Sequence, residues 1–351
     1  MASPGSLKAP RAIQEFSLIA ELHRRHGQLA PSIVRGIGDD AAILRPPSGS
    51  WSLVTIDLLT EGIHFDCRRT SFVEIGHRAA VANLSDIAAM GGTPLFLLIA
   101  LAVPGRGTGS QIHQLYRGLM TACRPYGVRL IGGDTSTSKG GWFLSVALIG
   151  AVAPQRALLR KGARVGDLLY VTGTLGDSSL GLRLLNEGAS HDHRPHKARA
   201  RSRTHERFLI GRHVHPTARV REGEWLSGGR LATAAIDLSD GLSGDLRHLC
   251  EESRVGVEVD LAAIPLSPAC RAYAQSQRLD PVEVALAGGE DYELLFTVAP
   301  RNRARLEREA KLRGFRITKI GMIRPARLGR RARFPGKALR ALPVTSYEHF
   351  R

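Results

Sequence analysis

The chain is short of several things, and each shortage closes off a class of function. Its four cysteines, Cys67, Cys123, Cys250 and Cys270, stand far apart with no CxxC pair, which argues against both a zinc cradle and a disulfide scaffold. No apolar run is long enough to span a bilayer: the longest, residues 95–103, is bracketed by Pro94 and Pro104. The N-terminus has no long apolar core after its basic residues, so no signal peptide is expected and a reducing cytoplasm fits. The phosphate-loop pattern GxxxxGK followed by Ser or Thr is absent, as are the protein-kinase signatures. Nucleotide chemistry, if present, uses neither common kinase design.

Acidic residues are scarce in two places. Positions 301–340 hold 15 Lys or Arg against 2 acids, and positions 191–207 hold 6 against 2, so the formal charge of +17 sits in these segments and the rest is balanced. Basic patches bind polyanions through phosphate contacts. Here the aromatics within them are only Phe315 and Phe334, with no zinc-finger or recognition-helix pattern, so a solvated basic face is expected and nucleic acid is not an expected partner. The His- and Arg-rich run 191–207, nearly free of apolar residues, reads as a disordered surface loop. A hydrophobic content of 43% over 351 residues supports two globular domains.

What the chain does have is acid where apolar stretches run out: Asp39-Asp40 after Gly-Ile-Gly, Asp57, Asp86, Asp134 after Gly132-Gly133, Asp237-Leu-Ser239-Asp240, and Gly288-Gly289-Glu290-Asp291. A carboxylate at the end of a buried strand is partly desolvated and costly unless a cation or donor meets it. Repetition of the pattern points to a shared hard cation. Mg²⁺ is usually held by a few carboxylates together with substrate phosphates.

Periodicity places strands over 52–57, 95–103, 129–131 and 143–152 and helices over 16–25, 72–90 and 111–126. After Ala153-Pro154 the pattern restarts, with strands over 168–172, 234–237, 255–261 and 292–298 and helices ending near Asn186 and spanning 242–252. The expectation is an α/β (α+β) protein with domains 1–153 and 154–351, the second carrying a basic insert at 187–207.

Each candidate site has a plain alternative. Asp39 or Asp40 suits a turn that caps backbone amides, and Ser239 or Asp240 suits an N-cap for the helix that follows, although capping leaves Asp237 unexplained. His64 alone reads as a structural imidazole, or near a phosphate as a charged donor. Asp86, in a helical stretch of small apolar residues, requires a metal or a hydrogen-bond network. Gly132-Gly133-Asp134 reads as a Gly-rich turn that approaches phosphate, and Gly173 to Ser179 as a phosphate-type loop lacking its lysine. Arg160 is a surface residue or a neutraliser of phosphate charge. Glu290-Asp291-Tyr292 suits a cationic substrate group.

In order along residues 16–350, the motifs GIGDDAAIL, EGIHF, AVANLSDIAAMGGTP, LIGGDTS, LLRKGARVGD, LYVTGTLGDS, AIDLSDGL, LAGGEDYELLF and SYEHF resemble the thiamine-monophosphate kinase family. The resemblance implies ATP-dependent phosphorylation of thiamine phosphate on the two-domain fold of aminoimidazole ribonucleotide synthetase, with paired N-terminal domains in a homodimer. It implies that Asp40, Asp57, Asp86, Asp134, Asp237 and Asp240 bind several Mg²⁺ ions. It further implies that Gly133, Asp134, Arg160 and Ser239 contact ATP, and that His64, Glu290 and Tyr347 contact thiamine phosphate. Asp134, Arg160 and Asp240 are the expected catalytic residues. Family members usually carry Thr where this chain has Ile56, so one hydroxyl ligand is missing there and Thr55 is the expected substitute. Rival readings are another synthetase of this fold or a non-catalytic polyanion-binding protein. Selenophosphate synthetases need an N-terminal Cys and hydrogenase-maturation dehydratases a C-terminal one. Here the first cysteine is Cys67 and the tail reads His349-Phe350-Arg351.

Overall fold

The computed structural model describes residues 33–35, 41–44, 49–188, 197–333, 339–343 and 345. The helix expected over 16–25, and the candidates Asp39, Asp40 and Tyr347, lie outside them.

The first sheet contains β1 (Ile33–Arg35), β2 (Ala42–Leu44), β3 (Trp51–Thr60), β4 (Thr93–Pro104), β5 (Arg129–Ser138) and β6 (Phe143–Val152), in the spatial order β1-β2-β3-β6-β4-β5. Period-two alternation sorts its side chains. Leu53, Thr55 and Leu59 of β3, Leu144, Val146 and Leu148 of β6, and Leu97, Ile99 and Leu101 of β4 are buried on one face, where α1 (Phe72–Ala89) and α2 (Gly109–Cys123) cover them. Both helices begin with a capping box, Ser71 with Glu74 and Thr108 with Gln111. They cross at Gly76 and Gly118, where a Cβ would run into the backbone carbonyls of Leu115 and Val73.

The second sheet contains β7 (Leu168–Thr172), β8 (Ala232–Leu238), β9 (Gly256–Asp260), β10 (Glu293–Val298), β11 (Ile317–Arg324), β12 (Arg330–Arg333) and β13 (Leu339–Ala341), in the order β13-β12-β9-β11-β7-β10-β8. Its helices are α3 (Asp177–Asn186), α4 (Lys197–Val214), α5 (Val220–Gly228), α6 (Leu242–Ser253), α7 (Pro268–Ser276), α8 (Pro281–Ala287) and α9 (Arg303–Arg313). Strands β7 and β10 are buried at every position because helices cover both faces. Leu169, Val171 and Leu295 pack with Leu180, Leu209 and Leu246. Leu168, Tyr170 and Phe296 turn the other way, joining Leu226 and Leu306 in a core continuous with that of the first sheet. Thirteen of the eighteen residues of α1 are buried, because this helix packs on the first sheet and also touches β8 and β10. It is the seam of a two-domain α/β molecule.

Two expectations change. Residues 197–207, expected as part of a disordered loop, form the first turns of α4. Ala and Arg are good helix formers, and the later turns dock through the fully buried Leu209, so the helix has an anchored end from which to extend. Gly132-Gly133-Asp134 is not a turn but the middle of β5, whose pairing with β4 continues to Ser138. At Gly133 a side chain would strike the carbonyl of Ile99, so glycine permits the close strand approach. Among the described residues no helix is long and apolar enough to cross a membrane.

Candidate active site

A cleft of about 1620 Å³ opens at the seam, its walls including Asp57, His64, Arg78, Asp240, Glu290 and Tyr292. The inward face of β3 supplies Thr55 and Asp57, and α1 supplies the acid beside them: the Thr55 hydroxyl donates to Asp86 Oδ2. One residue earlier on the helix, the Ser85 hydroxyl donates to Asp237 Oδ2 at 2.7 Å, reaching the end of β8. Adjacent residues of one helix thus tie the acids of both sheets together.

The turn after β8 completes the cluster. The N-cap of α6 is Gly241, at φ +109°, with no side-chain capping bond, so neither Ser239 nor Asp240 serves as the cap. Its backbone is instead held by Asp245, a residue that sequence reasoning missed: Asp245 Oδ2 accepts from the N–H groups of Asp240 at 3.2 Å and Gly241 at 3.1 Å. Burial and then the charge of Asp240 push the Asp57 carboxyl up to about 6. Burial, with Asp240 and Asp237, likewise drives Asp245 well above the ordinary carboxylate range, against the pull of Arg160. Carboxyl groups crowded until mutual repulsion and burial raise them make a donor set suited to a hard divalent cation. Among the described residues no group of three His, Cys, Asp or Glu is already spaced as a metal cage.

The opposite wall is the Gly288-Gly289-Glu290-Asp291-Tyr292 loop. It docks on the end of β8 through Glu290 N–H to Ser239 O at 2.7 Å and Tyr292 N–H to Leu238 O at 2.9 Å. Glu290 and Tyr292 both sit at positive φ, 61° and 51°, a strain that clusters at functional sites. Arg78, almost wholly buried on α1, donates to Glu290 Oε1 at 2.5 Å and to the carbonyl of His64 at 3.0 Å. Burial alone would raise Glu290, but Arg78 and then His213 hold its carboxyl below the ordinary value. Burial and Arg78 lower His213 to about 4, so at neutral pH its 3.3 Å approach to Glu290 is not an ion pair, and its Nδ1 is hydrogen-bonded to the Ser178 hydroxyl at 3.1 Å. His64 Nδ1 accepts the Thr60 N–H at 3.1 Å, which leaves the proton of its neutral ring on Nε2.

The phosphate-loop reading of Gly173 to Ser179 fails for a physical reason. The amides at the start of α3 are already taken from within the chain, because the Asp291 carboxyl accepts from Gly176 N–H at 2.7 Å and Ser178 N–H at 3.3 Å.

Of the residues expected from the sequence, Thr55, Asp57, Asp86, Asp237 and Asp240 come together, His64, Ser239 and Glu290 line the cleft, and Arg160 lies near Asp245. Gly133 and Asp134 do not join them within one chain. Registers run Asp57 to Val146, Val146 to Ile99 and Ile99 to Gly133, three strand spacings or about 14 Å. Asp134 pairs with Ala100 on the other face of the sheet. Ile56, 67% exposed, also projects to that face, so the hydroxyl on the site side belongs to Thr55. Arg78 and His213 were missed along with Asp245. A lone Arg inside the apolar helix and an acid in the turn after Asp-Gly were the available signals.

Residues 38–152 match the N-terminal domain, and residues 164–330 the C-terminal domain, of AIR synthase related protein. The chain is 37% identical to the thiamine-monophosphate kinase of Escherichia coli strain K12, covering 89% of this chain and 91% of that one. It is 34% identical to the enzyme of Bacillus subtilis strain 168, over 97% and 100%. The solved structure of AaThiL complexed with AMPPCP and TMP superimposes with a TM-score of 0.82 at 32% identity, covering 99% of this chain and all of that one. Two matched domains, near-full coverage and one shared layout together place this chain in the thiamine-monophosphate kinase family.

Proposed function

We propose that the protein transfers the γ-phosphate of ATP to thiamine phosphate, giving thiamine diphosphate and ADP. The observation that carries this reading is the convergence of Thr55 and Asp57 from the first sheet and Asp86 from α1 with Asp237 and Asp240 from the end of β8 and the turn after it on a single cleft. The AaThiL complex with AMPPCP and TMP supports it.

Thr55, Asp57, Asp86, Asp237 and Asp240, with Asp40, are the residues that would hold Mg²⁺. When bound, the metal supplies positive charge against the triphosphate. The chain's own groups do the positioning. Arg160 and the Ser239 turn receive the nucleotide phosphates, and His64 offers its Nε2–H to the acceptor phosphate. Glu290 meets the cationic thiazolium, a role in which Tyr347 is also proposed. An oxygen of thiamine phosphate attacks the γ-phosphorus in line while the bond to the β–γ bridging oxygen breaks and ADP leaves. The attacking oxygen is already anionic, so no base is required, and placement and electrostatics carry the rate.

The functional unit is a homodimer. The outer face of the first sheet exposes Ile56, Leu58, Phe96 and Phe143, with Leu130 and Ile131 at its edge, an apolar patch of the kind a second copy covers. Gly133 and Asp134 belong to that side, so they serve ATP across the dimer, in the partner's cleft. Four free cysteines suit the reducing cytoplasm. The test is incubation of pure protein with ATP, Mg²⁺ and thiamine phosphate. Thiamine diphosphate is the expected product, and its absence with folded, ATP-binding protein rejects the assignment.

A further inference from the structure

Away from the cleft, a groove of about 730 Å³ lies on the second sheet between α4, α9 and β11, lined in part by Tyr170, Phe208, Lys311, Phe315, Arg316 and Lys319. Its lining draws on one of the two segments that hold the chain's excess positive charge and on the residue next to the other. Phe208 directly follows the segment 191–207, and Lys311, Phe315, Arg316 and Lys319 belong to 301–340. Other arginines nearby are spent on acids: Arg303 on Glu307, Arg305 on Glu309, and both Arg324 and Arg333 on Glu258. Lys311, Arg316 and Lys319 are exposed and have no acidic partner among the described residues. Glu307, the acid on the groove wall, is engaged by Arg303 and by the Tyr170 hydroxyl at 2.8 Å. Phe208 is 44% exposed, although a helix docked through Leu209 could have turned a polar residue outward there.

We propose that this groove binds single-stranded nucleic acid, with Lys311, Arg316 and Lys319 on successive phosphates and a base stacked on Phe208. Sequence alone offered only Phe315 and Phe334 as aromatics within the basic segments. Folding adds the exposed ring of Phe208 to the same groove. Unpaired cations beside an exposed aromatic form the combination that single-strand binders use, the cations tracking the backbone and the ring stacking bases of any sequence. An acidic protein surface would use the cations and leave Phe208 idle. A lone nucleotide would leave unused the positive charge that runs on along α9, where Arg308 and Arg313 flank Lys311.

The test is fluorescence anisotropy of a labelled twelve-nucleotide oligo(U) RNA titrated with the full-length protein over a series of salt concentrations. Phe208→Ala and the triple variant Lys311→Glu, Arg316→Glu, Lys319→Glu are compared with wild type, with thiamine diphosphate formation as the check on folding. The triple variant is expected to bind at least about tenfold more weakly and to lose about 2 from the slope of log K against log salt, three contacts at about 0.7 each. Phe208→Ala is expected to weaken binding about fivefold or more with the slope unchanged. Turnover stays as in wild type in both. The proposal is overturned by unchanged oligonucleotide affinity in either variant. It is equally overturned if inorganic polyphosphate or vesicles of anionic phospholipid bind as tightly as the RNA and are insensitive to Phe208→Ala.

Discussion

Arg78 shows how one side chain organises a wall of the site. It is a buried cation that reaches in two directions, to the carboxylate of Glu290 and to the carbonyl of His64, and its Nε has no partner among the described residues. Arg78→Met would leave Glu290 without its main counter-charge. A loss of about 3 kcal/mol is expected, the low end for a broken buried pair because Glu290 keeps 30% of its side chain exposed. Arg78→Lys restores the charge but not the fork, so chemical denaturation should show most of the stability recovered, while steady-state kinetics should show a raised KM for thiamine phosphate at nearly unchanged kcat. Equal stability of Arg78→Met and wild type would contradict this role. The strand-end acids were legible because a charge beside an apolar run is conspicuous in sequence. Arg78, His213 and Asp245 were harder to read, since their partners lie up to 212 residues away or across a turn whose shape only the fold defines.

At the scale of elements, Asp291 fixes the start of α3 to the loop that carries Glu290, and it does so from a buried position. Burial raises its carboxyl to about 7, against the pull of the Gly176 amide. Between the ordinary carboxylate value and about 7 the folded protein keeps this proton while the unfolded chain has released it, so this group's contribution to stability falls as pH rises through that window. Asp291→Asn removes the titration and can still accept the Gly176 amide through its one oxygen, losing the longer Ser178 bond at every pH alike. Its stability relative to wild type, measured by urea unfolding, should therefore improve steadily from about pH 4 to pH 7, and a constant difference would refute the assignment. Elements with clear punctuation, such as β6 and β7, were readable with the bounds the structure shows. The missed ones hid for definable reasons. In α9 only Leu306 and Ala310 are buried among salt-bridged Arg and Glu, and in β12 only Ala332 is, so neither period is visible. The short helices α7 and α8 did carry a signal, an N-cap followed by proline at Ser267-Pro268 and Asp280-Pro281.

For the molecule as a whole, three surfaces separate by chemistry: the carboxylate cleft at the seam, the apolar outer face of the first sheet, and the basic groove on the second. The seam exists because α1 is apolar nearly all round and both sheets bury it. The sequence showed that helix as small and apolar, but it did not show which strands would surround it. If the proposed dimer forms through the outer face, Ile56→Arg, placed in its middle, is expected to give monomers in analytical ultracentrifugation and to reduce turnover by removing Asp134 from the proposed shared site. A fully active Ile56→Arg monomer would contradict the shared site. The central claim, that acids from two sheets form one metal-dependent nucleotide site, is tested most directly by calorimetric titration of ATP into wild type and Asp237→Asn, each with and without Mg²⁺. The account requires Mg²⁺ to tighten ATP binding to wild type by about tenfold or more, at least about 1.4 kcal/mol, and requires that gain to vanish in Asp237→Asn. ATP affinity indifferent to Mg²⁺, or a gain fully retained in the variant, would contradict it.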